Sequence, residues 1–292
     1  MISKSIITAF LLCLAYSMIA YLNLDSEIRP LNQGQGNLVK CQEYVFRDSA
    51  KAKYVITGSS MSYRLRQEFL PPGYYNLALG GHSSFLGLEL VNRSPDLPEV
   101  VFVEMNTIVR STNSPFVDDI FSRPIYDMKK HVVITRDKFR FFPFLVNKAH
   151  QFVSENDATD NNVKIDEATL KKRIDVLKES FCKLPNENKL KASFSKLRQL
   201  VAELESKNVR VVFFEMPMHS EIYSSELFTV LNNEFKKNFP ESKYHYIPAP
   251  PSDGYDTTDG LHLVASCAKK MANYLVAQFN QGPDPNLFQA ND

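Results

Sequence analysis

The 292-residue sequence predicts an α/β fold, a three-layer sandwich around a mostly parallel five-stranded sheet, preceded by one N-terminal transmembrane helix. Three observations carry that prediction. Short, uniformly apolar, β-branched runs recur along the chain, the pattern of parallel strands covered on both faces. Amphipathic stretches separate them, and such alternation implies right-handed crossovers with helices on both sides of the sheet. An unbroken apolar run opens the chain.

That run, residues 5–22, would span roughly 27 Å as a helix rising about 1.5 Å per residue, close to the thickness of a hydrocarbon core. Lys4 and the amino terminus precede it, whereas Asp25, Glu27 and Arg29 follow. The charge bias places the short N-terminus in the cytoplasm and the rest outside, as a single-pass protein of the cytoplasmic membrane with a periplasmic domain. A cleaved signal peptide, releasing a secreted protein, is the rival reading, with Ala15-Tyr16-Ser17 as its small-x-small site. Met18, Ile19, Ala20, Tyr21 and Leu22 prolong the apolar run past that site and favour a retained anchor. Residues 1–24 are thus the anchor and 25–50 a polar tether and lead-in, with Pro30, Gly34 and Gly36. Residues 51–280 form the main domain, with an insertion at about 108–190, and 281–292 a disordered tail.

Within the main domain, residues 54–57 read as the first strand, ended by Gly58, and 60–69 as a helix stopped by Pro71-Pro72-Gly73. Residues 74–79 form the second strand, which meets Gly80-Gly81 before a helical stretch at 85–91. Residues 100–103 and 211–214 are the third and fourth strands. The fourth follows an amphipathic helix at 191–207 that aligns Leu197, Leu200, Val201 and Leu204 on one face. Residues 244–247 complete the sheet and 263–279 form the closing helix. Inside the insertion, the apolar patch Arg140-Phe141-Phe142-Pro143-Phe144 reads either as a lid or partner-binding subregion or as a cap on the core, and 154–162 as a mobile loop tip.

Thirty-four basic and thirty-three acidic side chains leave a formal charge of +1, so no basic field gathers phosphate backbones and nucleic acid is an unsuitable partner. The absence of tryptophan argues weakly against a carbohydrate ligand. Cys41, Cys182 and Cys267 would lie in an oxidising compartment, yet no spacing identifies a disulfide pair. No Cys/His cluster points to a metal, and no cofactor is implied.

Ligands of open parallel sheets bind beyond the carboxyl ends of the strands. Those positions hold Gly58-Ser59-Ser60, Gly80-Gly81-His82, Glu104-Met105-Asn106, Glu215-Met216-Pro217-Met218-His219 and, after the fifth strand, Asp259-Gly260-Leu261-His262. A serine hydroxyl is a poor nucleophile until a base removes its proton, and that base needs an orienting acceptor. Asp259 and His262, spaced DxxH, can present both groups from one turn to Ser60. The backbone N–H groups of Ser60 and Gly81 and the Asn106 amide are the candidate oxyanion donors. His82, His219 and Arg64 are candidate substrate-binding groups, and Asp259 could alternatively serve as the N-cap of the closing helix.

In these motifs the chain resembles the SGNH (GDSL-like) hydrolase superfamily. Thr57-Gly58-Ser59-Ser60 is similar to block I, with Ser60 at the nucleophile's position, and 76–84 (NLALGGHSS) to block II, with Gly81 as oxyanion donor. Glu104-Met105-Asn106-Thr107 stands where block III has GxND, and 259–262 resembles block V. Ser59 replaces the GDS aspartate, Glu104 the block III glycine and Thr107 its aspartate. The resemblance implies a flavodoxin-like SGNH fold and a serine esterase or O-acyltransferase. With the anchor, it implies the extracytoplasmic branch that includes alginate O-acetylation and teichoic-acid D-alanylation proteins, acting on an envelope polysaccharide beside an integral-membrane acyltransferase. The alternatives are a non-catalytic module binding glycan or a protein partner, and a lipid or small-ester esterase.

Overall fold

The computed structural model describes residues 2–24, 30, 32–46, 52–110, 115–141, 143–146 and 166–282. They fall into two compact units, Met1–Asp48 with Ser114–Ala158, and Ser49–Asn113 with Thr159–Asp292.

The second unit holds the sheet. Strands β1 (Tyr54–Thr57), β2 (Tyr74–Asn76), β3 (Val100–Glu104), β4 (Arg210–Phe214) and β5 (His245–Ile247) lie in the order β2-β1-β3-β4-β5, every pairing parallel. The five-stranded α/β fold expected from sequence is therefore present. Beyond the end of β2, Leu77 N and Leu79 N still donate to Ile56 O and Gly58 O, so the chain follows β1 as far as its terminal turn. The order reverses between β1 and β3, and the crevice at such a switch point is where an open sheet leaves room for a ligand.

Side chains alternate along each strand, which assigns the layers. On one face, Phe213 of β4 meets Phe235, and Phe235 meets Phe194. Those two rings come from α9 (Glu226–Asn238) and α7 (Glu187–Glu205), beside α3 (Ser84–Arg93). On the other face, Phe279 of α10 (Ala265–Gln281) packs edge-on against Tyr54 and Phe102, and Tyr74 stacks on Tyr54. Helix α6 (Glu167–Ser180) and the single turn α8 (Ser220–Tyr223) also belong to this unit.

Residues 60–69 do not form the expected helix. Only two 3-10 turns occur there, Ser62–Arg64 and Gln67–Phe69. The carbonyls of Ser62 and Leu65 accept from the Asn76 amide of β2, and Gln67 exchanges hydrogen bonds with the backbone of Tyr74 and Asn76. Tertiary partners thus occupy groups that a helix would have paired internally.

The first unit contains α1 (Ile2–Leu22), α2 (Gln33–Val45), α4 (Pro115–Phe121) and α5 (Ile125–His131), followed by 3-10 turns at Val133–Thr135 and Asp137–Phe139. Helix α1 has a mean hydropathy of 2.0 over Lys4–Leu22, long and apolar enough to cross a membrane. The tether reading of 25–50 needs correcting. Asn32 caps α2 by accepting from Gln35 N, and Val39, Cys41 and Val45 are buried, so an apolar stripe within a polar stretch made a packed helix. The insertion at 108–190 is likewise no single element, because Ser114–Ala158 joins this unit, and the residues before it and those from Thr159 on, with α6, join the sheet unit. Phe144 of the aromatic patch and the preceding Phe139 are buried, packed with Ala20 and Tyr16 of α1, whereas Phe141 of the patch is exposed. Phe142, the loop tip 154–162 and the tail beyond Gly282 lie outside the described residues.

Gly87 of α3 lies against β1, and a Cβ there would stand 2.8 Å from the Thr57 side chain. Ala is worth about 0.8–1 kcal/mol over Gly by helix propensity, whereas forced overpacking costs about 1–3 kcal/mol. Gly87→Ala should therefore lower the melting temperature of the purified chain, and an unchanged or raised value would show that α3 retreats freely from β1.

Candidate active site

Two segments far apart in sequence build the site. The first is the turn after β1. Ser59 is buried, while Ser60 reaches the surface of the crevice, which explains why the second serine and not the first faces the histidine. Beneath the turn, fully buried at the end of β3, lies Glu104. Its Oε1 accepts from Ser59 Oγ at 2.7 Å and Thr107 Oγ1 at 3.2 Å. Its Oε2 accepts from Ser59 N at 2.8 Å, Ser62 Oγ at 2.5 Å and Ser62 N at 3.2 Å. An uncompensated buried carboxylate would cost several kcal/mol; five donors on two oxygens are what keep it there. Gly58 is obligatory because a Cβ at that position would fall 2.5 Å from Glu104 Oε2.

The three departures from the SGNH pattern therefore meet in one place. Ser59 in the turn after β1 and Thr107 after β3 both donate to Glu104 at the end of β3.

The second segment is the loop before α10. Asp259 Oδ1 accepts from Leu261 N at 3.0 Å and His262 N at 2.8 Å, folding the residues into a turn. Gly260 takes φ +96°, and a Cβ there would strike Ile222 and Ile174. Thr257 Oγ1 accepts from Gly260 N, Thr258 N donates to His262 O, and His219 N donates to Gly260 O. Leu261 and Leu263 are buried and anchor the loop. Asp259 is not the N-cap of α10, a position held by Val264; its carboxylate caps its own turn instead.

The two segments meet. His262 Nε2 lies 2.8 Å from Ser60 Oγ, and His262 Nδ1 lies 2.6 Å from Asp259 Oδ2. With Nδ1–H donating to the carboxylate, Nε2 is left as the acceptor for the serine proton. Burial by itself would raise the Asp259 pKa. The hydrogen bond from the His262 ring, its charge and the two backbone N–H groups outweigh that and hold the carboxyl at about 2.

The remaining predicted residues separate into groups. Gly81, at φ +77°, is exposed beside the crevice edge of block II. Among the described residues, neither its N–H nor that of Ser60 meets a hydrogen-bond acceptor. Asn106 is engaged elsewhere: its Oδ1 accepts from Met216 N at 2.8 Å and its Nδ2 donates to Met216 O at 3.1 Å, tying the chain after β3 to the chain after β4. Arg64 is partly buried, which pushes its pKa down, while the Asp259 charge opposes the shift. The partly buried His82 ring is likewise pushed below its ordinary value by burial. His219 caps α8, with Nδ1 accepting from Glu221 N at 3.4 Å, which is a structural use of the ring.

Sequence reasoning missed one wall of the site. Thr169, Lys172, Arg173, Val176 and Leu177 of α6 line an open groove of about 370 Å³ that also touches Asp259. Arg173 donates to Thr258 O at 2.8 Å and ties the helix to the DxxH loop. The signal was present, since Leu170, Ile174, Leu177 and Phe181 recur at helical spacing.

Fold and site together define an α/β protein with a hydrogen-bonded Ser-His-Asp chain at the switch point of a parallel sheet. No protein-family model and no curated protein matches the sequence. Among solved structures, a Bacteroides fragilis protein provisionally described as an acylhydrolase is similar at a TM-score of 0.43 and 13% identity, over 87% of this chain and 98% of that one. A Streptococcus pneumonia protein provisionally described as a platelet activating factor is similar at 0.45 and 11%, over 84% and 92%. These likenesses concern architecture, and the functional argument rests on the geometry above.

Two outcomes test the site's construction. Glu104→Leu removes the acceptor of two buried groups that can only donate, Ser59 N and Ser62 N, and each buried donor left unpaired costs about 1–3 kcal/mol. Thr107→Val removes one donor and should cost no more than about 1 kcal/mol; equal losses in chemical denaturation would refute the hub. The depressed Asp259 pKa gives the carboxylate a stabilising contribution that is complete above the unfolded value near 4 and disappears as pH falls through about 2. The stability difference between the wild type and Asp259→Asn should shrink across that window, and a constant difference would contradict the pairing.

Proposed function

We propose that this chain is a serine acyl-ester enzyme. The observation that carries the reading is the continuous chain Ser60 Oγ to His262 Nε2, and His262 Nδ1 to Asp259 Oδ2, at 2.8 and 2.6 Å. Ser60 Oγ attacks the acyl carbonyl carbon while His262 takes the hydroxyl proton, and Asp259 stabilises the resulting imidazolium. The carbonyl oxygen becomes an oxyanion facing the backbone N–H groups of Ser60 and Gly81, where each preorganised donor is worth about 2.7–4 kcal/mol. The bond to the leaving alcohol then breaks, His262 returns the proton to that oxygen, and an acyl-Ser60 ester remains. Water or a sugar hydroxyl attacks this ester and gives its proton to His262; the bond from the acyl carbon to Ser60 Oγ then breaks, and His262 returns the proton to that oxygen. No step requires a metal or an organic cofactor.

The acceptor in this reading is a polysaccharide of the cell envelope, to which the enzyme adds or from which it removes an O-acyl group outside the cytoplasm. Two features support it: the apolar α1, and the resemblance of the four sequence blocks to the extracytoplasmic SGNH branch. An integral-membrane acyltransferase that exports the acyl group is the partner such an arrangement calls for. A second reading, a non-catalytic module that binds glycan or such a partner, draws on one observation, the commitment of Asn106 to Met216 in place of the crevice.

A fluorophosphonate probe separates the two. Covalent labelling of the wild type, lost in Ser60→Ala and reduced at least about 100-fold in rate in His262→Ala, supports the enzyme. Labelling that persists in Ser60→Ala would reject Ser60 as nucleophile. A chromogenic acetyl ester presented with a glycan acceptor then distinguishes free acetate from acetylated glycan, the products of esterase and transferase respectively.

A further inference from the structure

The first unit carries an apolar surface that the proposed chemistry does not use. On α1, Ile6, Ile7, Phe10, Leu11 and Leu14 are bare, but farther along the helix Tyr16 and Ala20 are covered. What covers them is the aromatic patch. Tyr16 Oη donates to Phe139 O at 2.7 Å, and the Tyr16 ring lies edge-on to Phe141 and Phe144 at centroid separations of 5.6 and 6.0 Å. Phe139, Phe141 and Phe144 are thereby held alongside the membrane-spanning candidate at a residue six before its last, Leu22. At about 1.5 Å per residue, Tyr16 lies roughly 9 Å inside that end. A helix of 19 residues, Lys4–Leu22, has no length to spare in crossing a hydrocarbon core of about 30 Å. Whatever packs on Tyr16 must therefore share the lipid.

The segment is equipped for that environment. Phe141, Leu145 and Val146 remain 54, 45 and 43% exposed, although Phe139 and Phe144 beside them are buried. Three of its backbone groups are paired, as apolar surroundings require: Phe139 N donates to Arg136 O, Phe144 N to Arg140 O, and Phe139 O accepts from Tyr16. The charges sit together at the other end of the segment. Asp137 is ion-paired with Lys129 and Arg140 and clasped by the Gln42 amide, and Lys138 bonds Leu24 O, just past the end of α1, and Glu43. Arg140 can extend from between Phe139 and Phe141 to a headgroup.

We propose that the segment carrying Phe139, Phe141, Phe144, Leu145 and Val146 is a second membrane-contact element, seated in the bilayer against the C-terminal part of α1, with Phe141, Leu145 and Val146 among the acyl chains. The occupant of this surface is lipid, because the surface is continuous with a helix whose exposed face is apolar over a length that spans a bilayer. The inference stands on α1 being a retained span and is independent of the catalytic reading.

The chain has no tryptophan, so a single one introduced is a unique reporter. Phe141→Trp, Leu145→Trp and, as a monitor of the anchor, Tyr21→Trp would each be made in the full chain and reconstituted into phosphatidylcholine/phosphatidylglycerol vesicles. The expected result is that emission at 141 and 145 moves to the blue, loses most of its intensity with brominated acyl chains, as at 21, and resists iodide. Quenching by bromolipid at 21 alone, with 141 and 145 open to iodide, would overturn the proposal while leaving the anchor intact, and would point to a protein occupant. Absence of lipid quenching at all three positions would overturn the proposal together with the anchor. Reporting from two positions guards against one substitution disturbing the packing.

Discussion

The buried carboxylate of Glu104 is the constraint on which the site depends. An ionisable group with no solvent access is tolerated only when its oxygens are saturated with donors, and the donors here come from two separate places: the turn after β1 and the start of the chain after β3. Satisfying the carboxylate therefore fixes the turn. Ser59 points down into the network, Gly58 has no side chain to obstruct it, and Ser60, next along, is left pointing up into the crevice. The position of Ser60 is a consequence of the acidic side chain buried beneath it.

The opposite half of the site is stabilised by different means. Asp259 folds its own loop by accepting two backbone N–H groups, and the same carboxylate orients His262. One side chain thus sets both the loop's shape and the imidazole's direction, which limits how far either can vary alone. The loop is seated by Gly260 against Ile174 and Ile222 and by the hydrogen bond from His219, so α6 and the chain after β4 determine where His262 arrives. Parallel pairing of short strands brings the halves together, because every chain end that carries chemistry emerges on the same edge of the sheet.

What could be read from sequence followed from how local each signal is. Strands such as β3 and β4 are apolar throughout because both faces are covered, and that pattern survives without knowledge of neighbours. Ser60, Asp259 and His262 were legible because their chemistry and placement after strands converge, and the structure brings them within hydrogen-bonding distance. Several of the failures involve a distant partner. Residues 60–69 have helical spacing, but Asn76 takes their carbonyls. Asn106 looked like a free donor, but Met216, 110 residues away in sequence, occupies both ends of its amide. Glu104 was a mismatch to a motif until Ser59, Ser62 and Thr107 were seen around it.

The same reasoning bears on whether α1 stays with the protein. A signal peptide is discarded, so its side chains have no reason to complement the mature fold. Tyr16 does complement it: its hydroxyl donates to Phe139 O, and its ring meets Phe141 and Phe144. Cleavage after Ser17 would remove that tyrosine, strip the hydrogen bond from a backbone carbonyl and leave aromatic faces uncovered, a loss of about 0.5–1.5 kcal/mol per aromatic pair beyond the area exposed. Downstream, Ala20 is fully buried against Phe139 and Phe144, and Lys138 bonds Leu24 O, so contacts to the folded unit run from one side of the potential cleavage site to the other. Packing that crosses a cleavage site favours keeping the two sides joined.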